Sequence, residues 1–253
     1  MPYISYSALK DWKTCPFYYK LTRVDKVSGF KGNEFTAFGS AIHSVCEQKL
    51  LKTAVDPIVH FLSEFKKNIF GLDDDVPLNA KLIKDMGHQG KEIIPEIEDG
   101  LKEYFNEYEV VAVELPIYEE IKGENYNFRG YIDAIVKTAD GKHHIFDWKT
   151  TSWGWDARRR SEKIVTYQLT LYKFFYAQKT GVPLSNIETH FALLKRTAKK
   201  DRVEFFRVTS GPRKIENALK LLKIALYNIR NKRYIKNRAS CNTCMFQQTE
   251  HCP

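Results

Sequence analysis

The chain has 253 residues, 43% of them hydrophobic, and a formal net charge of +9 from 40 Lys and Arg against 31 Asp and Glu. That length suits one large domain or a core domain with insertions. No apolar run reaches the ~18 residues of a membrane span, and the opening MPYISYSALKDWKTCP lacks the charged-then-apolar order of a secretory signal. The chain therefore reads as soluble and cytoplasmic. A basic balance favours nucleic acid or an anionic surface as partner, with a solvated lysine-rich surface as the alternative.

In chain order, residues 4–20 read as a helix capped by Ser5 or Ser7, with Leu9, Trp12 and Tyr19 at helical spacing and a break near Pro16. A glycine-bearing loose segment follows, then a helix over SAIHSVCEQKLLK, Ser40 to Lys52, with His43 offset from its apolar face. Residues 57–108 read as mostly helical, interrupted by GLDDDVPLN and by Gly87 and Gly90. β-rich segments occupy 110–121, 127–137 and 143–150. A helix is expected from Lys163 to Thr180, strands at 188–196 and 203–208, a long helix over 211–233, and a cysteine-bearing tail. This order predicts a single α/β domain with a mixed central sheet flanked by helices. Its parts are an N-terminal helix in 1–30, a helical region in 40–108, a core in 109–210, and a C-terminal helix and tail in 211–253.

The stretch GYIDAIVKTADGKHHIFDWKTT, from Gly130 to Thr151, carries the chemistry. Two strands rich in apolar residues each hold a carboxylate, Asp133 and Asp147, which burial alone would forbid. A three-residue turn, Ala139-Asp140-Gly141, sets Asp133 opposite Asp147; a two-residue Asp-Gly turn would shift the register by one. Facing carboxylates call for a cation between them, and oxygen ligands suit Mg2+ or Mn2+. Lys149 shares the face of Asp147 because side chains alternate along a strand, while Phe146 and Trp148 point the other way. The alternative is an exposed Asp147–Lys149 ion pair.

Gly130-Tyr-Ile-Asp133 followed by Asp147-Trp-Lys149 resembles the G-x-x-D … D/E-x-K core of the PD-(D/E)XK nucleases, in their RecB-type branch, which includes CRISPR-associated exonucleases. The resemblance spans nearly the whole chain, with 53–108 unmatched. It implies a restriction-endonuclease-like fold and a metal-dependent deoxyribonuclease. His43 resembles the upstream metal-ligand histidine, and Glu114 in VELPI the acidic residue of the preceding strand, with an ordinary exposed glutamate as the alternative. Gln168 and Tyr172 resemble the Q-x-x-x-Y pair that helps hold DNA and the active site; four residues apart, they share a helix face. The implied metal ligands are His43, Asp133, Asp147 and the backbone carbonyl of Trp148. Asp147 stands where a glutamate is more usual, and its shorter arm could alter the metal spacing.

Five cysteines are present, three of them within the last thirteen residues. In an intracellular chain, Cys241-x-x-Cys244 with Cys252 after seven intervening residues suggests metal rather than disulfides. Three thiolates are one short of a closed set, and either His251 or Cys15 could complete it. SALKDWKTCPFYYK, around Cys15, resembles the N-terminal motif of RecB-type nucleases that carry an iron–sulfur cluster. That likeness implies a [4Fe–4S] cluster on Cys15, Cys241, Cys244 and Cys252, with Zn2+ as the alternative; four thiolates are its usual ligand set. Cys46 reads as a small buried hydrophobe.

WGWDARRRSEK puts Arg158, Arg159, Arg160 and Lys163 in a flexible basic loop after the second carboxylate strand, where they could grip phosphates while Trp153 and Trp155 stack on bases. A solvated charge run and packed indoles are the alternatives. KRTAKKDR (195–202) reads as a solvated hairpin turn. No G-x-x-x-x-G-K-[ST] sequence is present, so any motor belongs to a partner. The combined expectation is a Mg2+/Mn2+-dependent exonuclease acting on single-stranded DNA ends, with endonuclease action left open. The rival reading is a non-catalytic DNA-binding subunit of a recombination or CRISPR adaptation complex, and protein partners in recombination, repair or CRISPR adaptation fit either.

Overall fold

The computed structural model describes Met1–Pro253. Its elements in chain order are β1 (Tyr3–Ser5), α1 (Tyr6–Thr14), α2 (Pro16–Tyr19), α3 (Glu34–Leu50), α4 (Pro57–Phe70), α5 (Ala80–Ile93), α6 (Glu96–Phe105), β2 (Tyr108–Glu120), β3 (Asn127–Thr138), β4 (His143–Thr151), α7 (Ala157–Ser161), α8 (Lys163–Thr180), β5 (Ile187–Lys195), β6 (Val203–Arg207) and α9 (Pro212–Arg230). By contact density the chain divides into two units, one made of 1–30, 117–130 and 211–253, the other of 31–116 and 131–210. Both β2 and β3 run through the two.

The larger unit is built on a mixed sheet. β3 pairs antiparallel with β4, β4 parallel with β5, and β5 antiparallel with β6, while β2 also pairs with β3. The β3–β4 turn is the three-residue one. Thr138 N–H donates to the Lys142 carbonyl at 3.1 Å, and Gly141 adopts a left-handed φ of 79° that other residues resist. Ala134 faces Phe146, so one step further along this register Asp133 stands across from Asp147.

Alternation then sorts the two faces. Ala134, Val136, Phe146, Trp148, Ala192 and Leu194 join a core with α3–α6. On α3 the contributing rows are Ala37, Ala41, Val45 and Phe38, Ile42, Cys46, each spaced by four. Asp147 lies on the opposite face, against α8. In the smaller unit, β1 pairs parallel with the first residues of β3, Tyr3 with Asn127 through Ser5 with Arg129. Its core includes Leu9 and Trp12 of α1 and Leu222, Leu226 and Ile229 of α9.

Several boundaries differ from the sequence reading. β1 precedes the first helix, whose cap is Ser5, accepting from Ala8 N–H at 3.2 Å. α3 starts at Glu34 rather than Ser40, because Asn33 and Thr36 form a reciprocal capping box. Gly87 and Gly90 do not interrupt α5. Gly90 is a packing residue instead: a Cβ there would lie 2.2 Å from the Phe61 ring of α4. The basic stretch after β4 is not a free loop but contains α7, capped by Asp156, which accepts from Arg159 N–H at 2.7 Å. No helix is long and apolar enough to cross a membrane.

Candidate active site

β3 and β4 bring two carboxylates together, and α3 and α8 close on them from either side. Asp133 Oδ2 accepts the Trp148 N–H at 2.8 Å and lies 3.7 Å from His43 Nδ1. His43, Asp133 and the Trp148 backbone thus lie together, with the charge of Asp147 close enough to act on both side chains. Asp147 is 2% exposed. Its Oδ1 accepts from Gln168 Nε2 at 2.6 Å. Its Oδ2 lies 2.5 Å from Lys149 Nζ, an ion pair that offsets its burial. Two buried carboxylates facing a single ammonium leave negative charge uncompensated, which a cation beside Asp133 would offset. The residues present therefore fit a divalent ion with mixed oxygen and imidazole ligands.

The electrostatics agree. Burial, followed by the charge of Asp147, pushes the Asp133 carboxyl well above the ordinary range. Burial pulls His43 down to about 4, leaving a neutral ring with a lone pair for a metal. Burial also opposes the charged form of Lys149, but Asp147 and Asp133 outweigh it, so its pKa lies above the ordinary lysine value. Lys149 is thus an ammonium, suited to orienting a water or phosphate oxygen and unable to accept a proton. Partial burial, Glu47 and Asp147 raise Glu114. Glu114 occupies β2 with φ of 48°, a left-handed conformation that costs a non-glycine residue strain. Its side chain is exposed. Tyr172 is buried, with its hydroxyl 3.5 Å from Gln168 Nε2, so the two share a helix face.

The basic segment is only partly free. Arg160 donates to the Trp155 carbonyl at 2.7 Å and ion-pairs with Glu204, while its guanidinium covers the Phe206 ring. Trp155 packs against Phe191 and Phe206 and carries Arg159 over its ring. Arg159 also pairs with Glu162 at 2.9 Å. Those commitments make Arg160 and Trp155 framework residues. Arg158, Lys163 and Trp153 remain exposed, Trp153 at 77%. A second basic residue read as solvated, Arg196, is buried over the Phe35 and Phe38 rings and donates to Gln89 and Ser152.

In the smaller unit the chain's two ends meet around the cysteines. Asn237 N–H donates to Cys15 Sγ at 3.3 Å, Asn237 Nδ2 to the Thr14 carbonyl at 2.8 Å, and Cys241 Sγ sits 3.9 Å from the Asn237 carbonyl. Cys15 and Cys244 line one cavity of about 370 Å³ with Tyr18. Cys252 closes a turn back to Thr249. All four are free thiols, half-buried, and Cys15 lies beside the segment that carries Cys241 and Cys244. His251 lies against Phe246 and Glu250. Cys46 is fully buried, with its thiol pushed up by burial. One grouping escaped the sequence reading: His144, Glu188 and His190, whose ligand atoms lie within 4.8 Å of one another. Alternation along β4 and β5 was its only signal.

Among solved structures, one from Eubacterium rectale described as a "putative exonuclease" is 19% identical and matches with a TM-score of 0.64, covering 96% of this chain and 86% of the other. It shares the fold. A second, of SSO0001, is 16% identical over 82% of this chain and 93% of the other, with a TM-score of 0.39. No curated protein matches significantly. A sequence model of the PD-(D/E)XK nuclease superfamily matches residues 3–252. The chain belongs to the PD-(D/E)XK nuclease superfamily.

Proposed function

We propose that the chain is a metal-dependent deoxyribonuclease that acts on single-stranded DNA ends. The observation that carries this reading is the convergence of Asp133, Asp147 and Lys149 on one face with His43 beside them. His43, Asp133, Asp147 and the Trp148 carbonyl would hold Mg2+ or Mn2+, which supplies charge stabilisation on the phosphate and an acidified water. Gln168 fixes the orientation of Asp147. Lys149, kept protonated by its two carboxylate neighbours, orients the attacking water and offsets charge developing on the phosphorus oxygens. Glu114 steers from the rim, and Tyr172 braces Gln168. Arg158, Lys163 and the exposed Trp153 hold the strand by phosphate contact and stacking.

Cys15, Cys241, Cys244 and Cys252 hold a [4Fe–4S] cluster that clasps the two chain ends, with Zn2+ on the same thiolates as the alternative. The test of activity is digestion of end-labelled single-stranded, double-stranded and circular DNA with Mg2+, Mn2+ or EDTA. Loss of the labelled single strand only with metal supports the reading. Binding without cleavage in every lane would instead make the chain a DNA-binding subunit.

A further inference from the structure

On the face of the sheet opposite Asp147, β4 and β5 build a second cluster from residues the proposed nuclease chemistry does not use. His144 of β4 pairs in register with Glu188 of β5, and His190 follows Glu188 by two, so all three point to one side. His144 Nδ1 lies 3.1 Å from His190 Nε2 and 4.0 Å from Glu188 Oε2. Both imidazoles are nearly fully buried, with the Phe105 ring against each.

The far nitrogen of each ring is already held. His144 Nε2 is 2.9 Å from Thr138 Oγ1, and His190 Nδ1 is 3.1 Å from Tyr104 Oη. Thr138 spends its one hydrogen on Asp140, at 2.5 Å. It must therefore accept from His144 Nε2–H, which leaves His144 Nδ1 a bare lone pair aimed at His190. His190 Nε2–H donates to that lone pair, and Tyr104 Oη, which can accept as well as donate, lets the His190 proton move to Nδ1 when Nε2 takes a metal, the outer oxygen partner usual for ligating histidines. Glu188 divides its labour similarly. Oε1 is tied to Arg207 at 3.1 Å and Lys142 at 3.4 Å, while Oε2 faces the imidazole.

We propose that His144 Nδ1, His190 Nε2 and Glu188 Oε2 form a Zn2+ site whose fourth position opens into the adjoining cavity. That cavity, about 460 Å³, is lined by the three ligands together with Tyr104, Asp140 and Arg207. Two imidazoles and one carboxylate are a familiar zinc donor set. The 3.1 Å between the two nitrogens is close to what tetrahedral coordination asks, and Glu188 Oε2, 4.0 Å from His144 Nδ1, lies within the 4.8 Å that spans all three ligand atoms. Lys142 and Arg207 neutralise part of the carboxylate charge, which disfavours Mg2+ or Ca2+, drawn by charge, and favours a metal drawn by imidazole nitrogen. Burial keeps both rings neutral, with His190 lowered to about 3. A zinc ion there would pin β4 to β5 three residues ahead of Asp147.

Full-length protein, stripped of loosely held metal and kept in excess Mg2+, is titrated with Co2+ as a coloured stand-in, then with Zn2+ in competition. The expected result is one equivalent of Co2+ with visible ligand-field bands, displaced by Zn2+ and distinct from any equivalent with thiolate charge-transfer bands taken up by the cysteines. H190Q loses that equivalent, and E188Q weakens it by about tenfold or more. Circular dichroism checks that each variant is folded; should H190Q fail to fold, E188Q decides, because Glu188 is only partly buried. Titrations of folded E188Q and wild type that superimpose, or Co2+ bands of thiolate character alone, would overturn the site.

Discussion

At the scale of single residues, the site is held together by contacts that oppose the protein's own stability. Asp133 is a buried carboxyl beside another, with its pKa raised, and the metal-free cleft therefore disfavours its charged form. Metal requires the carboxylate, so binding must release a proton. Mg2+ or Mn2+ affinity should rise with pH over the range where Asp133 ionises, and calorimetry in buffers of different ionisation enthalpy should detect the proton. Asp133→Asn keeps an oxygen for the Trp148 N–H and removes the repulsion with Asp147. It should abolish cleavage while raising the metal-free Tm by about 2–4 °C, the shift that ~1 kcal/mol produces in a chain of this size. Gln168→Ala removes a charge-assisted hydrogen bond to Asp147, an interaction of ~1.5–3 kcal/mol. It should lower kcat by about 10–100-fold while DNA affinity changes little, as single-turnover and binding assays would show separately.

The elements show where local pattern and tertiary context part company. The carboxylate hairpin was legible because its turn chemistry, Ala139-Asp140-Gly141, sets the register, and α8 because its bounds follow a sustained apolar pattern. Glycine misled in α5: both glycines look like helix breakers, but a neighbouring Phe61 ring needs the space at Gly90. Gly90→Ala should cost ~1–3 kcal/mol by overpacking, and a control Gly87→Ala, with nothing within 4 Å, should be neutral or stabilising. Paired thermal melts compare the two. β1 was missed because three residues carry no period, and α7 because its basic run masks an Asp156 cap. The same segment makes a sharper prediction for DNA. Arg158→Ala should lower the slope of log affinity against log salt by about 1. Arg160→Ala should leave that slope nearly unchanged, since its guanidinium is already spent on Glu204 and the Trp155 carbonyl. The His144–Glu188–His190 cluster was illegible for a different reason: its members sit 44 and 46 residues apart, and only the parallel pairing of β4 with β5 joins them.

For the whole molecule, the net charge of +9 and the cysteines carry the remaining claims. Residue 15 reaches the 237–252 segment through Asn237, so a group on the four thiolates closes a loop of over two hundred residues. A [4Fe–4S] cluster there makes anaerobically prepared protein brown, and Cys241→Ser should bleach it and lower the Tm. A colourless preparation holding one zinc would select the other metal. The central claim, however, is that Asp133, Asp147 and Lys149 form a hydrolytic centre, and it is tested most directly by the rate of Mg2+-dependent digestion of end-labelled single-stranded DNA by folded Lys149→Ala against wild type. Wild type should degrade the strand only with metal, and the variant should be slower by about 10²–10³-fold or more, the scale of losing one charge-stabilising group. Equal rates in the two proteins would contradict it.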